Sequence, residues 1–451
     1  MKKKASFKEQ RFYQRVPFPF PVVFINGNVG ETVDVSQAGL CVSLERRVSD
    51  ARVLSFDVEF PFSQKKVRVF GEKVWEKMMD ETGRYLVGLR FINPRPEDLQ
   101  LLEEEASRRD ILDDDAVAMT NRARGYLIRL KTECDLFDAR HKDKKEQQVY
   151  FDQQIVTLTL TLTEHLKSLY AKFQAFDHEE YLLHRHYYQI MLGGVLLDNV
   201  EVNRHVAHKP LGYAGDFMLI NYYYDFYDRW LGCSMFEKLV NSYSLNLLIS
   251  RSVVRRKEYF KNKILSIVRA RPRVRILSVG SGPARELIEM LQENTIDNHF
   301  TFVCLDFEKE SIRYVKNKLE ALDPARRKCL TIKYLNSSLM DIVKRDGVVS
   351  KEKYDLVYSS GLFDYLKDRM ASTALTNLFA CLNKGGELVI TNASTGNTYE
   401  RMYYEMLGGW ELIYRTPQDM RRMVEHIRHA KGVEVMNIGE ENSFLFLGMK
   451  K

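Results

Sequence analysis

The spacing of hydrophobic and polar positions changes twice along the 451 residues and indicates three segments. In the first segment, residues 1–105, short apolar runs alternate with turns such as Asn26-Gly27-Asn28. Runs rich in β-branched and aromatic residues predict strands at Val22–Ile25, Val53–Phe60, Lys66–Val74 and Tyr85–Phe91. Regularly spaced short strands predict a small barrel or sandwich.

The second segment, residues 106–268, follows a helical period almost throughout. It is preceded by an acidic helix predicted from Glu97, and it includes a helical stretch near Tyr181–Val195. One side of a long helix is predicted to carry Leu158, Leu160, Leu162, Leu166 and Leu169. Because no linker rich in Pro, Gly or Ser separates this segment from the next, we expect it to cap the following domain.

In the third segment, residues 269–451, strand-like runs alternate with amphipathic helices. Seven strands are predicted, at Arg275–Val279, Phe300–Leu305, Leu330–Leu335, Tyr354–Tyr358, Gly386–Thr391, Val433–Asn437 and Phe444–Met449. This alternation is typical of a parallel, doubly wound α/β sheet. The predicted fold class is therefore multidomain α+β, with an N-terminal β-rich domain, a helical middle segment and a C-terminal Rossmann-like sheet.

The composition narrows the classes of partner and location. A net charge of +7 is small for this length, so no nucleic-acid partner is expected. No apolar run reaches the roughly 18 residues of a membrane span, and we expect a cytoplasmic protein. The six cysteines are far apart and lack a Cys-x-x-Cys pair, which favours reduced, mostly buried thiols and no metal site. A homodimer and a protein partner both stay open.

Two short motifs stand out in the first segment. Arg11 and Arg15 are spaced as Arg-x-x-x-Arg, and Asp34, Ser36 and Gly39 form Asp-x-Ser-x-x-Gly. A guanidinium can hold a phosphate with two hydrogen bonds or donate two to guanine O6 and N7. The acidic and hydroxyl groups can accept from guanine N–H groups and donate to phosphate.

Both motifs, in this order, resemble those of PilZ domains, which bind the bacterial second messenger cyclic di-GMP. The stretch Tyr85–Phe91 is also similar to the closing strands of that family. The resemblance covers about residues 7–105 and implies a β-barrel with cyclic di-GMP as ligand. It further implies that Arg11 and Arg15 clamp phosphate and guanine, while Asp34, Ser36 and Gly39 form the opposing rim.

The third segment begins with a strand that runs into a glycine turn, Gly280-Ser281-Gly282. Glycines between a strand and a helix let a ligand approach the backbone near the positive helix N-terminus. A dinucleotide fingerprint would need a third glycine where Arg285 stands, which argues against NAD. The second strand ends in Asp306, placed to accept from both hydroxyls of a ribose.

This order resembles the class I methyltransferases that use S-adenosylmethionine (SAM). The resemblance implies that SAM is bound by Gly280, Ser281, Gly282, Asp306, Ser338 and Ser360. One position departs from the family, because many members carry an acid where Ser278 stands, and Glu286 offers a compensating charge. Ser359-Ser360-Gly361-Leu362 replaces the Asn-Pro-Pro-Tyr type of motif after strand four, which lowers the weight of nucleic-acid and glutamine methylation.

The helical middle contains the unusual string Gly212-Tyr213-Ala214-Gly215-Asp216. Two glycines in a helical region cost about 1 kcal/mol each, which favours a functional site with Tyr213 and Asp216 as candidate catalytic residues. Nearby tyrosines and arginines could orient a carboxylate or serve packing alone, and they are Tyr222, Tyr223, Tyr224, Tyr227, Arg251, Arg255 and Arg256. With the glycine turn, this region resembles the bacterial methyltransferases that make 3-hydroxypalmitic acid methyl ester.

Three functions follow from these observations. The first is a methyltransferase regulated by cyclic di-GMP that methylates the carboxylate of a small or lipid-like acid. A carboxylate is already nucleophilic and needs no base, whereas an amine or hydroxyl usually does. The second is a non-catalytic effector in which the methyltransferase fold is a docking platform, favoured by Ser278. The third is methylation of a protein in a chemotaxis-like pathway.

Overall fold

The computed structural model describes residues 21–25, 27–36, 38–48, 50–60, 63, 65–79, 84–108, 112–197, 199–226, 231–338, 341, 352–437 and 443–451. It divides the chain into two compact units. The first comprises the described residues up to Arg129 together with Ala171–Val195, and the second comprises Leu130–Tyr170 and Leu196–Lys451. The division into segments 1–105, 106–268 and 269–451 stays a prediction.

The first unit contains a closed barrel of six antiparallel strands in the order β1-β2-β3-β6-β5-β4. The strands are β1 Pro21–Phe24, β2 Val29–Ser36, β3 Gly39–Leu44, β4 Val53–Glu59, β5 Lys66–Met78 and β6 Tyr85–Phe91. Alternate apolar side chains, among them Val35, Leu40 and Phe56, fill the interior. The four predicted strands are present. The sequence did not indicate β2 and β3, because their polar residues form strands only through pairing within the barrel.

In the sequence, eight helices of the described residues follow β6 and precede the first strand of the second sheet. They are α1 Pro96–Arg108, α2 Asp114–Arg140, α3 Lys144–Phe173, α4 His178–Leu192, α5 Glu201–His208, α6 Phe217–Phe226, α7 Met235–Leu245 and α8 Leu248–Ala270. A π-helical turn, Gly193–Leu197, follows α4. In α3, Leu158, Leu162, Leu166 and Leu169 are buried, but Leu160 is 64% exposed. Placing Leu160 on that side was wrong, since two residues turn a helix by about 200°.

The second unit contains a seven-stranded sheet in the order β12-β13-β11-β10-β7-β8-β9. Its strands are β7 Arg273–Val279, β8 His299–Asp306, β9 Leu330–Asn336, β10 Tyr354–Ser359, β11 Leu382–Ala393, β12 Lys431–Asn437 and β13 Phe444–Lys450. Among the described residues, the helices of this region are α9 Arg285–Glu293, α10 Lys309–Glu320, α11 Asp368–Ala380, α12 Arg401–Gly408 and α13 Pro417–Arg422, with 3₁₀ turns at Pro324–Arg327 and Phe363–Tyr365. The predicted multidomain fold with a seven-stranded Rossmann-like sheet is confirmed.

One strand departs from the predicted parallel arrangement. Strands β7 to β11 pair in parallel, whereas β13 runs antiparallel to both β11 and β12. Only a few residues join β12 to β13, and a parallel neighbour would require a crossover of a dozen residues or more. The short connection therefore reverses the last strand.

The strand order places β7 between β8 and β10. The chain therefore adds β8 and β9 on one side of β7, and β10 and β11 on the other. At such a switch point, the connections after the two strands diverge and leave a crevice at their carboxyl ends. Both faces of the sheet are covered: Leu277 packs in the cluster with Leu375 of α11, and Ile276 packs in the cluster with Phe260 of α8. The crevice is therefore the place where the fold leaves room for a ligand.

Two general features complete the description. Of the six cysteines, five are buried and Cys233 is exposed, and none forms a disulfide. The prediction of mostly buried thiols is confirmed. Among the helices of the described residues, none has the length and apolar character that a membrane span requires.

Candidate ligand-binding sites

A cavity of about 690 Å³ opens at the carboxyl ends of β7, β8 and β10. It lies within the second unit and is lined by the glycine turn after β7, the loop before α6, the first half of α8 and the loop after β10. Of the eight candidate catalytic and SAM-binding residues, seven line it: Tyr213, Gly280, Ser281, Gly282, Asp306, Ser338 and Ser360. The structure thus brings residues from five separate parts of the chain to one site.

The glycine turn has the backbone geometry of a ligand cradle. Gly280 and Gly282 have φ angles of +64° and +50°, a region that residues with a Cβ rarely adopt. The N–H groups of Gly280 and Ser281 donate to Leu305 O at 2.8 and 3.1 Å, which ties the turn to the end of β8. The Ser281 hydroxyl is buried and has no hydrogen-bond partner among the described residues. A polar group of a ligand can satisfy it.

Asp306 lies at the tip of β8 and is 5% exposed. Its Oδ2 accepts from the Gly282 N–H at 2.8 Å and its Oδ1 from the Glu308 N–H at 2.9 Å. Burial raises the pKa of Asp306, and these backbone hydrogen bonds oppose that shift. Each oxygen retains a lone pair, so the carboxylate is held in place and can still accept from two vicinal hydroxyls.

The two serines follow β9 and β10, which are separated in the sheet by β7 and β8. Ser338 follows β9, and its hydroxyl donates to Asp341 Oδ2 at 3.2 Å. Ser360 follows β10 directly and is half-buried. Together with Asp306, they place polar groups at the carboxyl ends of β8, β9 and β10, the edge of the sheet at which nucleoside-containing ligands bind.

The departure at Ser278 is accompanied by a buried carboxylate from the next helix. Ser278 is 2% exposed, and Glu286 in the first turn of α9 is 7% exposed; both line the cavity. The Tyr358 hydroxyl donates to Glu286 Oε1 at 2.5 Å. Burial raises the pKa of Glu286, while the Tyr358 hydrogen bond lowers it. A carboxyl group therefore stands in the cavity although the strand residue lacks one.

The two candidate catalytic residues of the glycine-containing string are separated by the structure. The Tyr213 ring lines the cavity and lies 5.2 Å from the Phe307 ring, and burial raises the pKa of Tyr213. Asp216 is not among the described residues that line the cavity. Its Oδ1 accepts from the N–H groups of Met218 and Leu219 at 2.9 Å, and His205 Nε2 lies 2.9 Å from both carboxylate oxygens. These contacts are those of a helix N-cap.

The remaining tyrosines and arginines of this region lie in different surroundings. Tyr224 and Arg256 line the cavity. Tyr222 donates to Glu201 Oε1 at 2.6 Å, and Tyr223 is buried against Tyr404. Arg251 and Arg255 are not among the described lining residues, and Tyr227 lies outside the described residues.

Asp364 is a cavity residue that the sequence analysis did not single out. It is 3% exposed, and its Oδ1 accepts from the Ala393 N–H at 2.6 Å. Burial raises the pKa of Asp364 to about 6, and the positive charge of Arg256 opposes this shift. Its place just after β10 was the available signal, since ligands of such sheets bind beyond the carboxyl ends of the strands.

In the barrel, the Asp-x-Ser-x-x-Gly motif lies on paired strands. Asp34 and Ser36 flank buried Val35 on β2, so their side chains share the outer face of the barrel. The Ser36 hydroxyl donates to Gly39 O at 3.2 Å across the β2–β3 turn. A Cβ on Gly39 would stand 2.1 Å from Leu89 O, so the close approach of β3 and β6 requires glycine. Arg11 and Arg15 lie outside the described residues.

A metal site requires several ligand side chains close together. Within the described residues, no group of three or more His, Cys, Asp or Glu side chains could hold a metal ion.

Comparisons with known proteins agree with these two sites. Residues 9–107 match the PilZ domain family and residues 277–388 match a methyltransferase domain family. No curated protein sequence matches the chain. These domain families support SAM and cyclic di-GMP as the two ligands.

Solved structures similar to the chain share little sequence with it. A possible exported protein from Bordetella parapertussis is 16% identical, with a TM-score of 0.42 over 69% of this chain and 98% of that one. The methyltransferase domain of bacterial CtHen1 is 16% identical, with a TM-score of 0.32 over 42% and 97%. Magnesium protoporphyrin IX methyltransferase from Synechocystis PCC 6803, with bound SAM, is 12% identical, with a TM-score of 0.32 over 46% and 84%. By its two family matches, the chain combines a PilZ domain with a methyltransferase domain.

Proposed function

We propose that this protein is a cyclic di-GMP-responsive, SAM-dependent methyltransferase that methylates the carboxylate of a small or fatty-acid-like substrate. One observation carries the proposal: the glycine turn, Asp306 and the residues after β9 and β10 converge on a single cavity. The family match of the surrounding sheet supports methyl transfer as the reaction.

SAM supplies a methyl group on a sulfonium, which makes that group electrophilic without help from the protein. In our assignment, Gly280, Ser281 and Gly282 hold the methionyl part against the backbone of the turn. Asp306 accepts from the ribose hydroxyls, while Ser338 and Ser360 contact the remaining polar edges of the ligand. Glu286 supplies the negative charge that Ser278 lacks and accepts from the ligand ammonium.

Part of the cavity lining is apolar. It comes from α8, the loop after α12 and the start of β13, with Ile249, Val253, Phe260, Trp410, Leu412 and Phe444. Such a wall suits an acyl chain and excludes water from the reacting groups. Since a carboxylate needs no general base, the protein has mainly to desolvate and align it. Tyr213 is placed in this cavity to orient the acceptor.

Asp216 then acts as a positioning residue. It caps α6 and holds His205, and both contacts fix the end of the loop that carries Tyr213. Asp216 is not among the described residues that line the cavity, and its assignment as a catalytic residue stays a prediction.

Cyclic di-GMP is assigned to the PilZ domain, with Arg11 and Arg15 as the phosphate and guanine clamp and Asp34, Ser36 and Gly39 as the opposing rim. Control of methyl transfer requires that the nucleotide bind two states of the protein with different affinities. The shared chain of a ligand-binding and a methyltransferase domain supports this coupling.

The test is incubation of the purified protein with methyl-labelled SAM and a bacterial lipid and metabolite extract, with and without cyclic di-GMP. Asp306→Asn and Asp297→Asn form a matched pair, because Asp297 is exposed just before the other end of the same strand. We expect base-labile label in the organic phase for the wild type and Asp297→Asn, and much less for Asp306→Asn.

Other outcomes identify the competing functions. Label that survives mild base would place the methyl group on nitrogen, carbon or an ether oxygen. A labelled protein band would indicate protein methylation. No label in either condition, together with no heat on SAM titration, would refute the enzyme and favour a docking platform, for which Ser278 is the supporting residue.

A further inference from the structure

Two of the three nitrogens of the buried Arg256 guanidinium have no hydrogen-bond partner among the described residues. Arg256 lies on α8, is 6% exposed and lines the cavity. Its Nε and Nη1 atoms make no hydrogen bond with any described residue. Buried charged groups are normally paired and hydrogen-bonded, because an unsatisfied one loses its hydration without compensation. Two unsatisfied donors on a buried arginine indicate that a hydrogen-bond acceptor is missing.

Two neighbours fix the guanidinium without filling its donors. Its plane lies over the Phe444 ring, with Cζ 4.0 Å from the ring centroid. Asp364 Oδ2 is 3.6 Å from Nη1, an ion pair too long for a hydrogen bond, and Asp364 Oδ1 is occupied by the Ala393 N–H. The side chain is therefore held in place while its Nε and Nη1 atoms make no hydrogen bond with the described residues.

Gly361 keeps space open at the same group. A Cβ there would stand 3.4 Å from Arg256 Nη1 and 3.7 Å from Nη2. The residue itself has a φ of +104° in the loop after β10. Without a side chain at position 361, no Cβ stands against the guanidinium on this side.

The charges around the cavity favour a singly charged anion. Glu286, Asp306 and Asp364 all line it and would repel a polyanion such as a phosphate ester. Of the other lining cations, Lys257 is already paired with Glu289 at 2.5 Å. A carboxylate matches the planar fork of an arginine with two parallel hydrogen bonds.

We propose that Arg256 is the carboxylate-binding residue of this cavity. The carboxylate belongs either to the methionyl part of SAM or to the acceptor. The inference rests on the proposed function for the identity of these two ligands. Arg256 and Glu286 both line the cavity. An ammonium on Glu286 and a carboxylate on Arg256 would complement an amino acid zwitterion.

The experiment compares Arg256→Met with Arg269→Met, an exposed arginine in the last turn of the same helix. Calorimetry measures binding of three probes to the full chain: S-adenosylhomocysteine, 5′-methylthioadenosine (which lacks the amino acid part) and decanoate. Loss of a charged hydrogen-bond pair lowers affinity by roughly 10- to 100-fold. We expect this loss for one carboxylate probe in Arg256→Met, no loss for methylthioadenosine, and none in Arg269→Met.

The probe that is lost identifies the source. Weaker binding of S-adenosylhomocysteine assigns the methionyl carboxylate, and weaker binding of decanoate alone assigns the acceptor. Should Arg256→Met fail to fold by circular dichroism, Arg256→Lys keeps the charge but loses the fork, and an intermediate loss is expected. Unchanged binding of both probes by a folded variant overturns the proposal. A wild type that binds decanoate but no adenosyl probe refutes the proposed function, and the decanoate comparison then decides on Arg256.

Discussion

Substitution of Gly215 tests whether the loop before α6 is fitted to the residues after β10. Gly215 has a φ of +77°, and a Cβ there would stand 2.5 Å from Tyr365 Oη and 2.8 Å from Trp410 Cζ2. Gly212, in the same loop, has a φ of +87° but no neighbour within 4 Å of such a Cβ. The two glycines therefore share the backbone conformation and differ in the space beside it.

The atoms that would clash with the new methyl group are themselves tied together. Trp410 Nε1 donates to Tyr365 Oη at 2.8 Å, and that hydroxyl donates to Ala214 O at 3.2 Å. Two rigid rings cannot withdraw without breaking these hydrogen bonds, each worth about 1 kcal/mol. The backbone conformation alone costs an alanine about 1–2 kcal/mol, and overpacking adds about 1–3 kcal/mol.

We therefore expect Gly212→Ala to lower the free energy of unfolding by about 1–2 kcal/mol and Gly215→Ala by about 2–5 kcal/mol. Urea unfolding followed by circular dichroism measures the difference. Because the chain has two units, the relevant transition is the one that S-adenosylhomocysteine shifts to higher urea. Equal losses in the two variants, or a larger loss in Gly212→Ala, would refute the fitted contact.

Three further predictions follow from single contacts. Gly39→Ala places a Cβ 2.1 Å from Leu89 O and should destabilise the barrel transition in urea by about 3 kcal/mol, whereas an unchanged midpoint would contradict the strand pairing. Asp364 binds its proton more tightly folded than unfolded, because its pKa is raised from 3.8 to about 6. The stabilisation that this proton provides is therefore full below pH 3.8 and is lost as the pH rises to about 6. The loss approaches roughly 3 kcal/mol. Asp364→Asn should flatten the pH dependence of the urea midpoint in this range. Glu286→Gln removes the charge assigned to the ligand ammonium and should weaken S-adenosylhomocysteine about 10-fold by calorimetry, without changing methylthioadenosine.

Local patterns were sufficient where the sheet itself dictates position. Apolar runs bounded by turns mark the strands of the second unit, and the carboxyl ends of its parallel strands share one edge. A glycine turn after β7 and an acid at the tip of β8 must then lie near each other, so Gly280, Gly282 and Asp306 could be assigned from sequence. The order of the strands, by contrast, depends on which neighbours pair across the whole unit.

Where a residue's role depends on distant partners, the sequence was ambiguous. Strands β2 and β3 have polar positions that favour turns locally, and barrel pairing overrides that preference. Asp216 stands in a distinctive string, yet its carboxylate turns to His205 and the start of α6 and not to the cavity. Local spacing could not reveal this, because the direction of a side chain is set by packing between elements.

The sequence alone determined the two domain types, the seven strands of the second sheet and the part of the site that follows strand ends, because these depend on short-range periodicity and on turn chemistry. Tertiary structure alone decided that Arg256 lines the cavity with Nε and Nη1 unsatisfied among the described residues and that Asp364 lies beside it, because α8 and the loop after β10 are about a hundred residues apart in sequence. It also decided that Gly215 must lack a side chain, since Tyr365 and Trp410 arrive there from distant segments. Such contacts arise when the chain packs, and no local pattern contains them.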